Sequence, residues 1–380
     1  MIKVVHNIHF PVSARSFVLP MVKFLNQVEI NSELWVENHE KHFNVIQQLD
    51  VPKQFIASDL PLNPFIFYRR LSDYCLKLKA TRPTVLHVHQ SRASLIPLLA
   101  ACIESIPVRI YHNHGLPYLG YNGILRWFLR NLELINIRLA THVLLVSHSN
   151  LAEAYADNLL PKNKGKVLAN GSAVGINLVD FNLSDVTENT VRQAKQKFGV
   201  INAPFVLAYV GRPVKRKGFH FLLEAWKQSG LGLRGNVLLI AGCTDVECTT
   251  ALGYSVAGVH GLGYQTDLSE FYIACDAVAL PSKHEGFPYS LLEGAAYAKP
   301  LIGTDIPGIR CAIKHNETGL LVPFEDKLAL TNAMSQLASN PFLRFQLGQN
   351  ARKRIEQDFP RELILTDLLN FYETELAIVS

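Results

Sequence analysis

The sequence predicts an α/β protein of two domains, each a parallel sheet with helices on both faces. Three observations lead there. The 380 residues are enough for two cores of ordinary size. Short apolar runs alternate with helical segments, and strands separated by helices pair in parallel. The alternation breaks once, at a glycine-bearing stretch after Asn170, and then starts again. With 48% hydrophobic and 18% charged residues the composition is that of a folded chain.

Residues 2–8 (I-K-V-V-H-N-I) read as a buried first strand, and a helix is expected over Ser13–Asn26 with Phe17, Met21, Phe24 and Leu25 on one face. Strand-like runs recur at Leu34–Glu37, Gln54–Ala57, Val85–His89, Val108–His112, Val143–Ser147 and Val167–Ala169. The ligand of such a sheet lies beyond the carboxyl ends of its strands. Two of those ends carry histidines, H-V-H-Q-S-R (His87–Arg92) and Y-H-N-H-G-L-P (Tyr111–Pro117). Imidazoles placed there serve as acid/base groups, as orienting groups or as structural caps. His114 is singled out because Gly115 lets a substrate approach the backbone. No carboxylate completes a ligand set with them, so no metal site is expected. Two further segments, Pro64–Lys79 and Gly123–Leu139, mix bases with aromatics and suit helices packed on the sheet or lying on a membrane surface. In the second, Leu125, Phe128, Leu129, Leu132 and Ile135 form the predicted core face, with Arg126, Arg130 and Glu133 opposite.

N-G-S-A-V-G-I-N (Asn170–Asn177) reads as a hinge. Beyond it, strands are expected at Pro204–Arg212, Val237–Ala241, Ala277–Leu280 and Leu301–Thr304, and the chain is mostly helical from Leu328. Arg212 and Lys217 then fall past the carboxyl edge of a strand, beside a helix beginning near Gly218. Positive charge at a helix N-terminus is unfavourable unless an anion binds there.

The stretch Pro281–Ala298 (P-S-K-H-E-G-F-P-Y-S-L-L-E-G-A-A-Y-A) leaves a strand, turns at Gly286 and enters a helix with Pro288 as its expected first residue. The N–H groups of Gly286, Phe287 and the first helical turn make a cradle suited to an anion. Glu293, set among Leu291, Leu292, Ala295 and Ala296, is costly to bury without a partner. Glu285 lies just before the turn. Two acceptor carboxylates flanking an anion cradle suit a ligand with hydroxyls at both ends and phosphate between them, the shape of a nucleotide-sugar.

Other classes are excluded by the totals. No apolar run reaches the length of a membrane span, and the N-terminus reads as a strand rather than a signal peptide. The six cysteines show no C-x-x-C pair, which points to reduced thiols and a cytoplasmic protein. Residues 1–180 hold 18 basic against 12 acidic residues, and the remainder 19 against 20. That excess is too mild for a nucleic-acid binder and suits an anionic membrane or a lipid-linked substrate.

G-R-P-V-K-R-K-G (Gly211–Gly218), H-E-G-F-P-Y-S-L-L-E (His284–Glu293) and T-D-I-P-G (Thr304–Gly308) together resemble the retaining glycosyltransferases of family 4, of GT-B fold. Glu285 and Glu293 stand at the spacing of that family's E-x7-E signature, and N-G-S-x-x-G-I-N resembles the hinge of its bacterial surface-polysaccharide and lipopolysaccharide members. The resemblance implies two Rossmann-like domains facing across a cleft, over 1–177 and 178–360, with 361–380 as a helix crossing back to the first. It implies Glu293 on the ribose hydroxyls, Glu285 on the donor sugar, Arg212 and Lys217 on the diphosphate, the N–H groups of Gly286 and Phe287 on sugar or phosphate, and His114 on the acceptor side. The reaction it implies is transfer from a nucleotide-diphosphate-sugar to a glycan, lipid-linked acceptor included, without a metal or other cofactor, on the cytoplasmic face of the inner membrane. A silent sugar-binding subunit and a nucleotide-sugar epimerase are the alternatives. The chain departs from the family at His9–Arg15, where a Gly-Gly turn is usual and Arg15 offers charge instead, at Cys311 in place of Glu, and at Asn177 in place of Asp.

Overall fold

A computed structural model describes residues 2–38, 43–47 and 49–379. The chain divides into two compact units, Met1–Gly175 with Arg361–Ser380, and Ile176–Pro360.

In the first unit the strands are β1 (Lys3–Ile8), β2 (Asn31–Val36), β3 (Lys53–Phe55), β4 (Val85–His89), β5 (Val108–Asn113), β6 (His142–Leu145) and β7 (Gly165–Val167). They form one parallel sheet in the order β3-β2-β1-β4-β5-β6-β7. Strand order reverses beside β1, the switch point of a doubly wound sheet. Alternation along the strands sorts the side chains. Val5, Leu86, Val88 and Tyr111 join a core that includes Trp35, Tyr74 and Ile96. His6, paired with His87, and His112, paired with His89, lie on the opposite face. The helix Arg361–Val379 belongs to this unit and buries Ile364, Leu368 and Tyr372. It is held by Asp367, which accepts from the Ala169 N–H at 2.7 Å, and by Glu375, 2.6 Å from His142.

Two expectations need correction here. The helix expected over Ser13–Asn26 is a short helical turn at Pro11–Ser13, a wider π-type turn at Ala14–Val18 and a helix at Leu19–Gln27. Pro20 has no N–H to bond back four residues, so the α-helical ladder cannot run through it. The exposed Arg15 sits on the π-type turn. In the helix Gly123–Leu139 the buried residues are Leu129, Leu132, Glu133, Asn136 and Ile137. Leu125, Phe128 and Ile135 are instead 42–47% exposed.

The second unit contains β8 (Val206–Val210), β9 (Val237–Ala241), β10 (Cys243–Thr244), β11 (Val259–Gly263), β12 (Ala277–Leu280), β13 (Leu301–Thr304) and β14 (Gly319–Val322). Their order is β10-β11-β9-β8-β12-β13-β14, parallel except for the β10–β11 pair. β10, β11 and β14 escape sequence reading: β10 has two residues, β11 (V-H-G-L-G) is half-buried with two glycines, and β14 has four residues. β8 and β12 are neighbours near the centre, which brings the loops after them together.

Candidate active site

The loop after β8 turns through Lys215–Lys217, and Gly218 at φ +69° starts the helix Phe219–Ser229. That glycine is obligatory, because a Cβ would lie 1.8 Å from the Pro281 carbonyl oxygen. The buried Tyr209 hydroxyl, 3.2 Å from the Arg212 carbonyl and 3.4 Å from that of Lys217, fixes the loop from beneath. The loop after β12 is tied to it by the Lys283 N–H on the Arg216 carbonyl at 2.9 Å and by the Arg216 guanidinium on the His284 carbonyl at 3.3 Å. From its other side, the Thr304 hydroxyl at the end of β13 donates to the Ser282 carbonyl. Gly308, at φ +88°, passes so close that a Cβ would stand 2.5 Å from the Gly286 carbonyl oxygen. Three strand ends are thus locked into one surface.

On that surface Lys217 Nζ donates to Glu285 Oε1 at 2.7 Å, with the lysine side chain 22% and the carboxylate 8% exposed. Lys217 and Glu285, 68 positions apart, therefore form one group, and the surplus positive charge expected at this loop is partly neutralised within the protein. Arg212 is exposed beside them in the same loop. Gly286 and Phe287 are buried, the ring of Phe287 meeting Phe359 edge-on at 5.2 Å. Pro288, expected as the first helical residue, is instead the cap of the helix Tyr289–Ala296, which starts one position later. Glu293 on that helix accepts from the Tyr272 hydroxyl at 2.9 Å, and burial raises its carboxyl to about 7, with the Tyr272 bond opposing the rise. A carboxyl raised this far accepts from ligand hydroxyls when ionised and donates to ligand oxygens when protonated. Tyr272 was not among the expected site residues; it sits on a short helix, Ser269–Ala274, 21 positions away.

In the first unit, His114 follows the end of β5 and is half-buried. It closes a layer of five imidazoles. His6 Nδ1 lies 3.3 Å from His89 Nε2, and His89 Nδ1 lies 3.0 Å from His114 Nε2. His87 Nε2 lies 3.2 Å from His112 Nδ1, and His87 Nδ1 lies 2.5 Å from the Tyr372 hydroxyl. Burial lowers all five, His6 to about 3 and His114 to about 4, so all are neutral at pH 7. Two sets, His6–His87–His89 and His89–His112–His114, bring three ring nitrogens within 4.8 Å, closer than their sequence positions suggested. Beneath the strand end, the fully buried Glu133 accepts from the Tyr111 hydroxyl at 2.7 Å and from Asn113 Nδ2 at 2.8 Å. Asn113 Oδ1 in turn accepts the Gly115 N–H at 2.9 Å, with Gly115 at φ +119°. Desolvation raises the Glu133 carboxyl to about 7. Sequence reading placed Glu133 on the solvent face; the signal was present, since Leu129, Leu132, Glu133, Asn136 and Ile137 follow the i, i+3, i+4, i+7, i+8 rule once polar residues are admitted to it.

Comparison with known proteins accounts for both halves. Residues 39–171 match the family described as "Glycosyl transferase 4-like domain" and residues 191–354 the one described as "Glycosyl transferases group 1". The capsular polysaccharide biosynthesis glycosyltransferase CapM of Staphylococcus aureus is 29% identical over 78% of each chain. The N,N'-diacetylbacillosaminyl-diphospho-undecaprenol alpha-1,3-N-acetylgalactosaminyltransferase of Campylobacter jejuni is 27% identical over 82% of each. Anabaena HepE, solved in complex with UDP, superposes with a TM-score of 0.80 at 17% identity over 98% of this chain and all of that one, which shows a shared GT-B fold. The loops knit around Lys217 and Glu285 therefore lie in the group 1 half of a chain that belongs to the glycosyltransferases of group 1 with a 4-like first domain.

Proposed function

We propose that the protein transfers a hexose-type sugar, with retention of anomeric configuration, from a nucleotide-diphosphate-sugar to a lipid-linked glycan, without a catalytic metal. The observation that carries this reading is the Lys217–Glu285 pair at 2.7 Å, beside Arg212, at the carboxyl ends of β8 and β12. Breaking the bond between the anomeric carbon and the diphosphate leaves the electron pair on the departing phosphate oxygen. Lys217 and Arg212 neutralise that charge as it develops, each charge-assisted contact contributing about 1.5–3 kcal/mol. The diphosphate competes with Glu285 for Lys217, and Glu285 then turns to hydroxyls of the donor sugar. Glu293 holds the ribose hydroxyls. The acceptor oxygen attacks from the face the phosphate leaves, and the phosphate takes its proton, so no side-chain base is required.

The acceptor is assigned to the first unit, at His114. The exposed apolar residues of that unit support a lipid-linked acceptor and a peripheral membrane contact: Phe65 is 85%, Tyr68 69%, Ile124 85% and Trp127 65% exposed, on two helices that also carry Arg69, Arg70 and Arg126. The test is a panel of nucleotide-sugars, UDP-sugars first because HepE was solved with UDP, scored by nucleotide-diphosphate release with and without undecaprenyl-diphosphate-linked sugars. Lys217→Ala is expected to lower turnover at least about a hundredfold while the thermal transition is kept. Near-normal turnover in that variant sinks the leaving-group role.

A further inference from the structure

The imidazole layer holds information beyond the position of His114, because a neutral imidazole has one proton and each ring here has a defined neighbour. His6 Nε2 is buried and has no hydrogen-bond partner among the described residues. A buried N–H without an acceptor is rarer and worse than a buried lone pair without a donor, so the proton of His6 sits on Nδ1. That N–H donates to His89 Nε2. With Nε2 accepting, the proton of His89 sits on Nδ1 and is donated to His114 Nε2. The proton of His114 is thereby forced onto Nδ1, the nitrogen that is neither bonded within the layer nor among the sealed, unpartnered polar atoms of the described residues.

The second chain has the same polarity. The buried Tyr372 hydroxyl must place its hydrogen on a partner, and His87 Nδ1 stands 2.5 Å away. His87 is then protonated on Nε2, donates to His112 Nδ1, and leaves the His112 proton on Nε2. His112 and His114 end the two chains side by side, their ring centroids 4.9 Å apart.

We propose that these two proton-ordered chains make His114, at the carboxyl edge of β5, a neutral N–H donor beside the buried and likewise ordered His112, with His6, His89, His87 and Tyr372 as the positioning residues. The ligand such an edge takes is an oxygen with available lone pairs, a sugar hydroxyl oxygen of the acceptor or a phosphate oxygen. A proton cannot be abstracted by His114, whose outward nitrogen has no lone pair to offer. This deepens, and rests on, the assignment of the acceptor to His114; the tautomers themselves do not depend on it. A divalent metal in either histidine triplet is the competing arrangement. It would use the lone pairs that the chains give to protons, and it would place two positive charges among neutral rings without a carboxylate in either set.

The test is long-range proton–nitrogen correlation on the full-length protein labelled at the histidine rings, with resonances assigned by single His→Gln variants. The expected result at pH 7 is His89 and His114 protonated at Nδ1, and His87 and His112 at Nε2. An Nε2-protonated or a charged His114 overturns the proposal, as does a stoichiometric metal in the purified protein by elemental analysis. His6→Phe removes the head of one chain and is expected to give His114 mixed tautomers and, with the competent tautomer cut to about half, about a twofold lower kcat/KM for transfer. Tyr372→Phe is expected to give His112 mixed tautomers and to leave the His114 tautomer unchanged, so the two chains are tested separately even where one variant fails to fold. A tautomer of His114 that survives His6→Phe overturns the chain. The expected tautomers together with normal transfer by His114→Phe overturn the acceptor assignment and leave the chain standing.

Discussion

Glu133→Gln isolates one buried charge. Glu133 is fully buried, one of its oxygens has no partner among the described residues, and burial raises its carboxyl from 4.5 to about 7. Because the folded state holds this proton more tightly, the contribution is full below about pH 4.5 and is lost as pH rises through about 7. Between about pH 5.5 and pH 8.5 the native protein releases a proton that the unfolded chain has already released, a swing of about 2 kcal/mol. Glutamine keeps an oxygen for Tyr111 and Asn113 and never ionises. The difference in unfolding free energy between variant and wild type should therefore favour the variant by about 2 kcal/mol more at pH 8.5 than at pH 5.5. Urea unfolding at the two pH values measures it, read from the fluorescence of Trp35, buried in the same unit. Taking the difference cancels every other titrating group. A difference that does not change with pH refutes the claim that Glu133 carries its proton in the folded state.

Glu293→Ala should raise the donor KM several-fold with kcat changed less, since it removes binding rather than transition-state charge stabilisation; an unchanged KM returns Glu293 to a structural role on its helix. Gly218→Ala should lower the melting temperature and weaken donor binding together, because a Cβ there meets the Pro281 carbonyl at 1.8 Å; wild-type stability would show that the β8 and β12 loops are not locked as described. EDTA should leave the initial rate of transfer unchanged, and strict dependence on added magnesium would displace Lys217 and Arg212 from the diphosphate.

Much of this was legible in the chain. The two parallel sheets follow from alternating apolar runs and helices, and Glu285 and Glu293 around the turn at Gly286, with Arg212 and Lys217, single out the candidate site before any contact is known. What was not legible depended on partners remote in sequence. Lys217 and Glu285 are each ordinary charges until β8 and β12 are neighbours. Glu133 was misread because a buried carboxylate contradicts the rule that apolar residues face the core; only Tyr111 and Asn113, contributed by another element, make its burial tolerable.

The histidines mark the limit most sharply. The sequence by itself determined that His87, His89, His112 and His114 fall at the carboxyl ends of two strands and alternate onto one face, because side chains on a strand repeat every two residues. Gly115 was legible as a residue that lets a substrate approach the backbone, but its φ of +119° belongs to the structure. Only the tertiary structure decided that His6 and Tyr372, from the first strand and the last helix, close the layer. Hydrogen-bond polarity is a property of contacts and not of residue types, and those contacts join positions as far as 285 residues apart.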